Sequence, residues 1–107
     1  MKERLKAGTS EEIESSVVAI IRRHMSKGIR YKVFLFGSRA TGRETARSDH
    51  DVGIEAEGNI PFGVLADIRL EVDELPTLRK VDVVDFARVS AAFKAVAKEQ
   101  TKELYAG

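Results

Sequence analysis

The sequence predicts an α/β (α+β) domain, one small β-sheet of three or more strands covered by about four helices. Three observations support this. Short β-branched and aromatic runs alternate along the chain with segments whose apolar residues recur at helical spacing. Glycine and proline fall at the junctions. The 107-residue length suffices for one modest core and one site, so residues 1–107 read as a single domain. Periodicity alone leaves a parallel and a mixed sheet both open.

Thr9 with Glu12 three residues on forms a capping-box pattern. Ile13, Val17, Ile20, Ile21 and His24 then share a face until Gly28, which predicts a helix over 10–27. On that face His24 reads as a core or C-terminal capping histidine. Tyr31-Lys32-Val33-Phe34-Leu35-Phe36 is aromatic, β-branched and bounded by glycines, and predicts a central strand. Residues 37–48 are polar with two glycines and read as a loop. Residues 49–57 alternate, with Val52 and Ile54 set against Asp49, Asp51 and Glu55, as in a partly buried strand. Pro61 opens a second amphipathic helix with Val64, Leu65, Ile68, Val72 and Leu75 on one face, and Pro76 closes it. Residues 81–86 make a third strand. Ser90 then caps a last helix whose Phe93, Val96, Ala97 and Leu104 share a core-packing face.

Composition excludes several classes of function. With 43% hydrophobic and 33% charged residues the chain lies within the globular range. The net charge of +1 comes from 18 basic and 17 acidic residues and gives no field for a polyanion, so no direct nucleic-acid partner is expected. The absence of cysteine removes disulfides, thiolate zinc sites and thiol nucleophiles. No apolar run has the length of a signal peptide or a bilayer span, so a cytoplasmic protein without membrane association is expected.

The chemistry concentrates between Gly37 and Asp51. Phe36-Gly37-Ser38 stands where a buried strand gives way to a loop and backbone amides become free to bind phosphate. Glycine has no Cβ to block that approach, and the Ser38 hydroxyl can donate to a phosphate oxygen. Asp49 and Asp51 are two residues apart, so on a strand both carboxylates project from one face, roughly 6 to 7 Å apart by strand rise. Two such carboxylates repel unless a cation lies between them. Hard oxygen ligands suit magnesium better than zinc. Phosphoryl and nucleotidyl transfer use this arrangement to offset triphosphate charge and hold the reacting atoms in line.

Gly37-Ser38-Arg39-Ala40-Thr41-Gly42 followed by Ser48-Asp49-His50-Asp51 resembles the signature of the DNA polymerase beta-like nucleotidyltransferase superfamily, and more narrowly its minimal nucleotidyltransferase branch. The resemblance covers essentially the whole chain and implies the mixed sheet of the nucleotidyltransferase fold. Residue by residue, it implies that Gly37, Ser38 and Arg39 bind the nucleotide and that Asp49 and Asp51 hold magnesium. In Val81-Asp82-Val83-Val84-Asp85 it implies that Asp82 is the third metal ligand and the general base. The departure is His50, since the residue between the two aspartates is often aliphatic in the family.

Minimal members of that family commonly act as antitoxins beside a HEPN-type ribonuclease and can adenylylate one of its tyrosines. The resemblance therefore implies ATP as donor, a HEPN-type protein partner encoded nearby, and transfer of AMP to a hydroxyl; a homo-oligomer is compatible with it. The alternative is a binding module that neutralises or regulates a partner by contact alone. Among the residues, Asp82 could instead pair with Lys80 or Arg79 at a sheet edge, with Asp85 as the substitute ligand. Arg43 and Arg47, spaced four apart with Arg39, read equally as helping to draw in the triphosphate or as a solvated basic stripe, and His50 carries no assigned role.

Overall fold

A computed structural model describes residues 10–37, 50–77 and 80–107. In chain order the elements are α1 (Ser10–His24), β1 (Tyr31–Phe36), β2 (His50–Ala56), α2 (Phe62–Asp73), β3 (Val81–Asp85), α3 (Ala91–Ala97) and β4 (Thr101–Ala106). The strands form one mixed sheet in the order β3-β2-β1-β4. β1 runs antiparallel to both β2 and β4, whereas β2 and β3 are parallel. That parallel pair requires a crossover, and α2 supplies it. The α+β class and the mixed sheet expected for the fold are thus found, with three helices among the described residues. No helix among these residues is long and apolar enough to cross a membrane.

One face of the sheet carries the main core. Val33 and Leu35 of β1, Val52 and Ile54 of β2 and Val83 of β3 alternate inward at the two-residue strand period. They meet Ile13, Val17, Ile20 and Ile21 of α1 and Leu65, Ile68 and Val72 of α2, spaced at the helical period. Each fully buried aliphatic side chain there contributes roughly 1.5 to 3 kcal/mol. α1 ends at His24, three residues before the expected end at Lys27, and Thr9, the cap expected from the sequence, lies outside the described residues. Glu11 and Glu12 in its first turn and Arg22, Arg23 and His24 in its last complement the helix dipole.

His24 is neither a core residue nor a cap. Its Nε2 lies 2.7 Å from Glu71 Oε1 of α2, and Arg23 bonds the other oxygen of the same carboxylate. The His24 hydrogen bond foremost, and the Arg23 charge after it, hold the Glu71 carboxyl below its ordinary value. The two helices are therefore tied to each other as well as to the sheet.

The opposite face is covered more thinly. Phe34, Phe36 and Phe86 form a small aromatic cluster there, with Val84, Val89 and Ala97 packed against it. Gly53 makes this possible: a Cβ at that position would lie 2.6 Å from both Phe34 Cζ and Phe86 Cε1. α3 crosses this face. Ser90 caps it as expected, its Oγ accepting from Phe93 N at 3.1 Å. Glu55 of β2 holds it by ion pairs to Lys94 at 3.2 Å and Lys98 at 2.8 Å. None of its residues is fully buried.

The last helix is shorter than the sequence predicts, and this is the main correction to the fold. It stops at Ala97, and Leu104 belongs to strand β4 rather than to a helical face. The helical spacing of Ala97 and Leu104 is accidental, because the Lys98-Glu99-Gln100 turn between them carries nothing to bury. β1 would otherwise leave an edge of unpaired amides and carbonyls, and pairing with β4 satisfies them. A register shift beside Val33 and Phe34 lets consecutive Leu104 and Tyr105 both pack toward the main core. Tyr105 rests against Tyr31 with centroids 5.3 Å apart, and the Arg22 guanidinium sits over its ring at 4.6 Å.

Candidate functional site

Two of the candidate carboxylates stand in a row with Phe36 across three strands. Phe36, the last residue of β1, is the register partner of Asp51 in β2, and Asp51 is the partner of Asp82 in β3. Their neighbours Leu35, Val52 and Val83 face the main core. Strand alternation therefore turns Phe36, Asp51 and Asp82 to the opposite face, at the end where β1 finishes and β2 and β3 begin. Directly paired positions on adjacent strands lie about 5 Å apart, so the two carboxylates are neighbours.

Gly37 follows this row with φ of 81°, in the left-handed region where only glycine is free of strain. A Cβ there would come within 2.8 Å of Asp51 Oδ2. The glycine therefore does two things. It lets the chain turn out of β1, and it leaves room for the Asp51 carboxylate against its backbone.

Asp51 and Asp82 open into a cleft of about 610 Å³. Arg69, Val72 and Asp73 of α2 line one side, and Phe36, Val84 and Phe93 line the other. Asp82 is partly exposed, and Lys80 Nζ lies 3.9 Å from its Oδ1. A pair between side chains this open, 68% and 44% exposed, is screened and weak, so the edge pairing weighed for Asp82 leaves its carboxylate available to a cation. Arg69 points along the edge of the sheet, donating from Nε and Nη2 to the Val83 carbonyl at 3.0 and 2.8 Å. It closes a backbone acceptor that β3 would otherwise present as an edge strand.

Asp85, the substitute candidate, serves another purpose. It is 3% exposed and accepts from Ala87 N and from Arg88 Nε, both at 3.0 Å, while Arg88 Nη2 reaches the Ile60 carbonyl at 2.8 Å. Its odd position on the strand places it on the side away from Asp82. The buried carboxylate thus fixes the turn after β3 and has no part in the cleft. His50 is likewise turned to the core side. It is completely buried, with Nε2 4.0 Å from Glu14 Oε2 of α1, so the sheet accommodates its ring where an aliphatic residue is usual by setting an acid against it.

Ser38, Arg39, Arg43, Arg47 and Asp49 lie outside the described residues. Among the described residues no three acidic or histidine side chains converge on one point. What they do provide is two adjacent carboxylates with one loosely held lysine nearby, a donor set of hard oxygens that fits a hydrated magnesium ion better than a transition metal. The helical pattern predicts core packing for Phe93, whereas the residue is 43% exposed and lines the cleft. The only sequence signal for that placement was the Ser90 cap, which fixes where the Phe93 ring is presented.

Comparison with known proteins agrees with this fold. No curated protein matches the chain. Among solved structures, a chain of a toxin-antitoxin with AMP-PNP superposes with TM-score 0.64 at 21% identity, covering 88% of this chain and 73% of that one. A chain of the tri-AMPylated Shewanella oneidensis HEPN toxin in complex with MNT antitoxin gives TM-score 0.66 at 18% identity, covering 92% and 74%. A chain of the toxin-antitoxin MntA-HepT gives TM-score 0.61 at 19% identity, again covering 92% and 74%. At such identities the likeness concerns the fold. The sequence model described as "Polymerase beta, Nucleotidyltransferase" matches residues 19–106, which takes in every strand and the whole Asp51–Asp82 row. On that match the chain belongs to the polymerase beta nucleotidyltransferase family.

Proposed function

We propose that this protein is a magnesium-dependent nucleotidyltransferase that moves AMP from ATP to a hydroxyl of a protein partner. The observation that carries the reading is the in-register adjacency of Asp51 and Asp82, with the left-handed Gly37 giving way to the Asp51 carboxylate. Asp49, Asp51 and Asp82 would hold the metal. When bound, magnesium offsets charge on the triphosphate and on the developing transition state. Gly37 and Ser38 seat the β- and γ-phosphates by backbone amide and hydroxyl, and Arg39 draws in the triphosphate.

The reaction needs little further chemistry from the protein. The acceptor oxygen forms a bond to the α-phosphorus, the bond from that phosphorus to the β-phosphate bridge breaks, and pyrophosphate leaves. Asp82, whose side chain is 44% exposed, takes the proton of the acceptor hydroxyl. Positioning and charge stabilisation supply most of the acceleration in such transfers.

The structural neighbours support one kind of partner. One is an AMPylated HEPN toxin with its MNT antitoxin and another carries AMP-PNP. We take the acceptor to be a tyrosine of a HEPN-type toxin, this chain to be the antitoxin, and the cytoplasm to be where the two meet. The test is incubation with α-labelled ATP, magnesium and the HEPN-type chain encoded beside it. The wild type should label the partner, and Asp51→Asn and Asp82→Asn should each lower labelling by roughly a hundredfold or more. Neutralisation of the toxin by the double variant, with no label transferred even by the wild type, would instead establish a module acting by contact.

A further inference from the structure

The cleft above the carboxylates is apolar on one wall, and nothing in the transfer step accounts for that wall. A metal–triphosphate complex requires oxygen ligands, amides and cations. Phe36, Val84 and Phe93 offer none of these, yet they share the cleft with Asp51 and Asp82. Phe93 is the unusual member, since the residue remains 43% exposed although two aromatic neighbours lie beside it. It meets Phe36 edge-on with centroids 6.0 Å apart and an interplanar angle of 84°, and meets Phe86 at 6.0 Å and 57°. Neither contact is a parallel stack, and the exposure of the residue shows that part of the ring's surface remains open.

The ring is also firmly placed. Phe93 N donates to the Ser90 Oγ cap at 3.1 Å, which sets the first turn of α3. On the following turns Lys94 and Lys98 are both anchored on Glu55. A short helix with no fully buried residue thus receives a polar tether on either side of one exposed aromatic ring. For core packing alone such an arrangement would leave much of the apolar area of Phe93 in water, where its burial gains nothing.

Resting on the nucleotidyltransferase reading, we propose that Phe93 is the stacking platform for the base of the nucleoside triphosphate. The dimensions suit it. Val84 lies two residues beyond Asp82 on the same face of β3, a rise of about 6 to 7 Å, which is about the span of a ribose between the α-phosphate and the base. A base carried that distance from the carboxylate row reaches the level of Val84, which packs against the aromatic cluster that Phe93 adjoins. Stacking on an aromatic side chain requires no hydrogen-bond partner from the wall and is worth roughly 5- to 150-fold in binding.

The experiment compares ATP with inorganic tripolyphosphate, which has the charge but no base. Both are titrated with magnesium into the whole chain by calorimetry, for wild type, Phe93→Leu and Phe93→Trp. Phe93→Leu should weaken ATP by about tenfold or more and leave tripolyphosphate unchanged, while Phe93→Trp, which restores a flat ring, should bind ATP at least as well as wild type. In turnover, Phe93→Leu should raise KM for ATP with little change in kcat. Equal ATP binding by wild type and Phe93→Leu overturns the assignment and leaves the transferase reading standing. Parallel weakening of ATP and tripolyphosphate overturns it too, because the damage then lies in the cleft as a whole. If the wild type binds neither probe, the function proposed above and this inference fall together.

Discussion

Replacing Gly37 by alanine perturbs the backbone and the carboxylate row at once, and the two effects can be separated. The first cost is conformational: at φ of 81° a residue with a Cβ is strained by roughly 1 to 2 kcal/mol. The second is steric, because the new Cβ would stand 2.8 Å from Asp51 Oδ2 and the carboxylate must rotate away. Leaving its rotamer well costs about 0.5 to 1.5 kcal/mol more. Gly37→Ala should therefore lose about 1.5 to 3.5 kcal/mol of stability in urea unfolding. In an Asp51→Ala background the steric part vanishes and the conformational part remains. The double-mutant cycle should accordingly give a coupling of about 0.5 to 1.5 kcal/mol. A coupling below roughly 0.3 kcal/mol would refute the placement of the Asp51 carboxylate against the Gly37 backbone. In the transfer assay, displacing that carboxylate by about an ångström should cost on the order of a hundredfold.

Asp82 and Asp85 should separate cleanly by phenotype. Asp85→Ala strands Arg88 and the Ala87 amide and should cost about 2 to 4 kcal/mol in unfolding experiments, whereas Asp82→Ala should change stability by no more than about 0.5 kcal/mol and abolish labelling of the partner; the reverse pattern would reassign the two residues. Glu55 gives a pH dependence of definite sign. The Lys98 hydrogen bond first, and Lys94 after it, hold its carboxyl below the ordinary value of 4.5. Its contribution to holding α3 is then complete above that ordinary value and is lost as pH falls through the lowered one. Between neutral pH and about pH 3 the melting temperature of wild type should fall further than that of Glu55→Gln. An equal fall would show that the two lysines do not anchor the helix.

Much of this arrangement was legible in the sequence because it is local. The two-residue alternation of Val33, Leu35, Val52 and Ile54, and the helical spacing of Leu65, Ile68 and Val72, specify which sides are buried before any partner is known. Ser90 announced its helix for the same reason, since a cap acts within three residues. β4 was not legible. Thr101 to Ala106 is a strand because β1 has an edge to fill, and no spacing within residues 91–107 reveals that distant requirement. Local periodicity even pointed the wrong way, joining Leu104 to Ala97.

The site divides along the same line. Gly37 and Asp51 could be read from a motif, and Asp82 from a resemblance, but their juxtaposition depends on the order of three strands. Asp85, the same residue type three positions from Asp82, differs from it through strand parity and the reach of Arg88. Phe93 looked like core because an amphipathic pattern does not say how much of a face its partner covers. Its exposure follows from how α3 is tethered by Glu55, through contacts 39 and 43 residues apart in sequence that no motif encodes.

Adjacency of Asp51 and Asp82 at a metal–nucleotide site is the claim on which the rest depends. It is tested most directly by titrating Mn²⁺, in place of magnesium, into the protein with a non-hydrolysable ATP analogue and following free ion by electron paramagnetic resonance. The wild type should take up the ion with the analogue, and Asp51→Asn and Asp82→Asn should each weaken uptake by about tenfold or more while the fold stays intact. Uptake by Asp82→Asn equal to that of wild type would contradict the account.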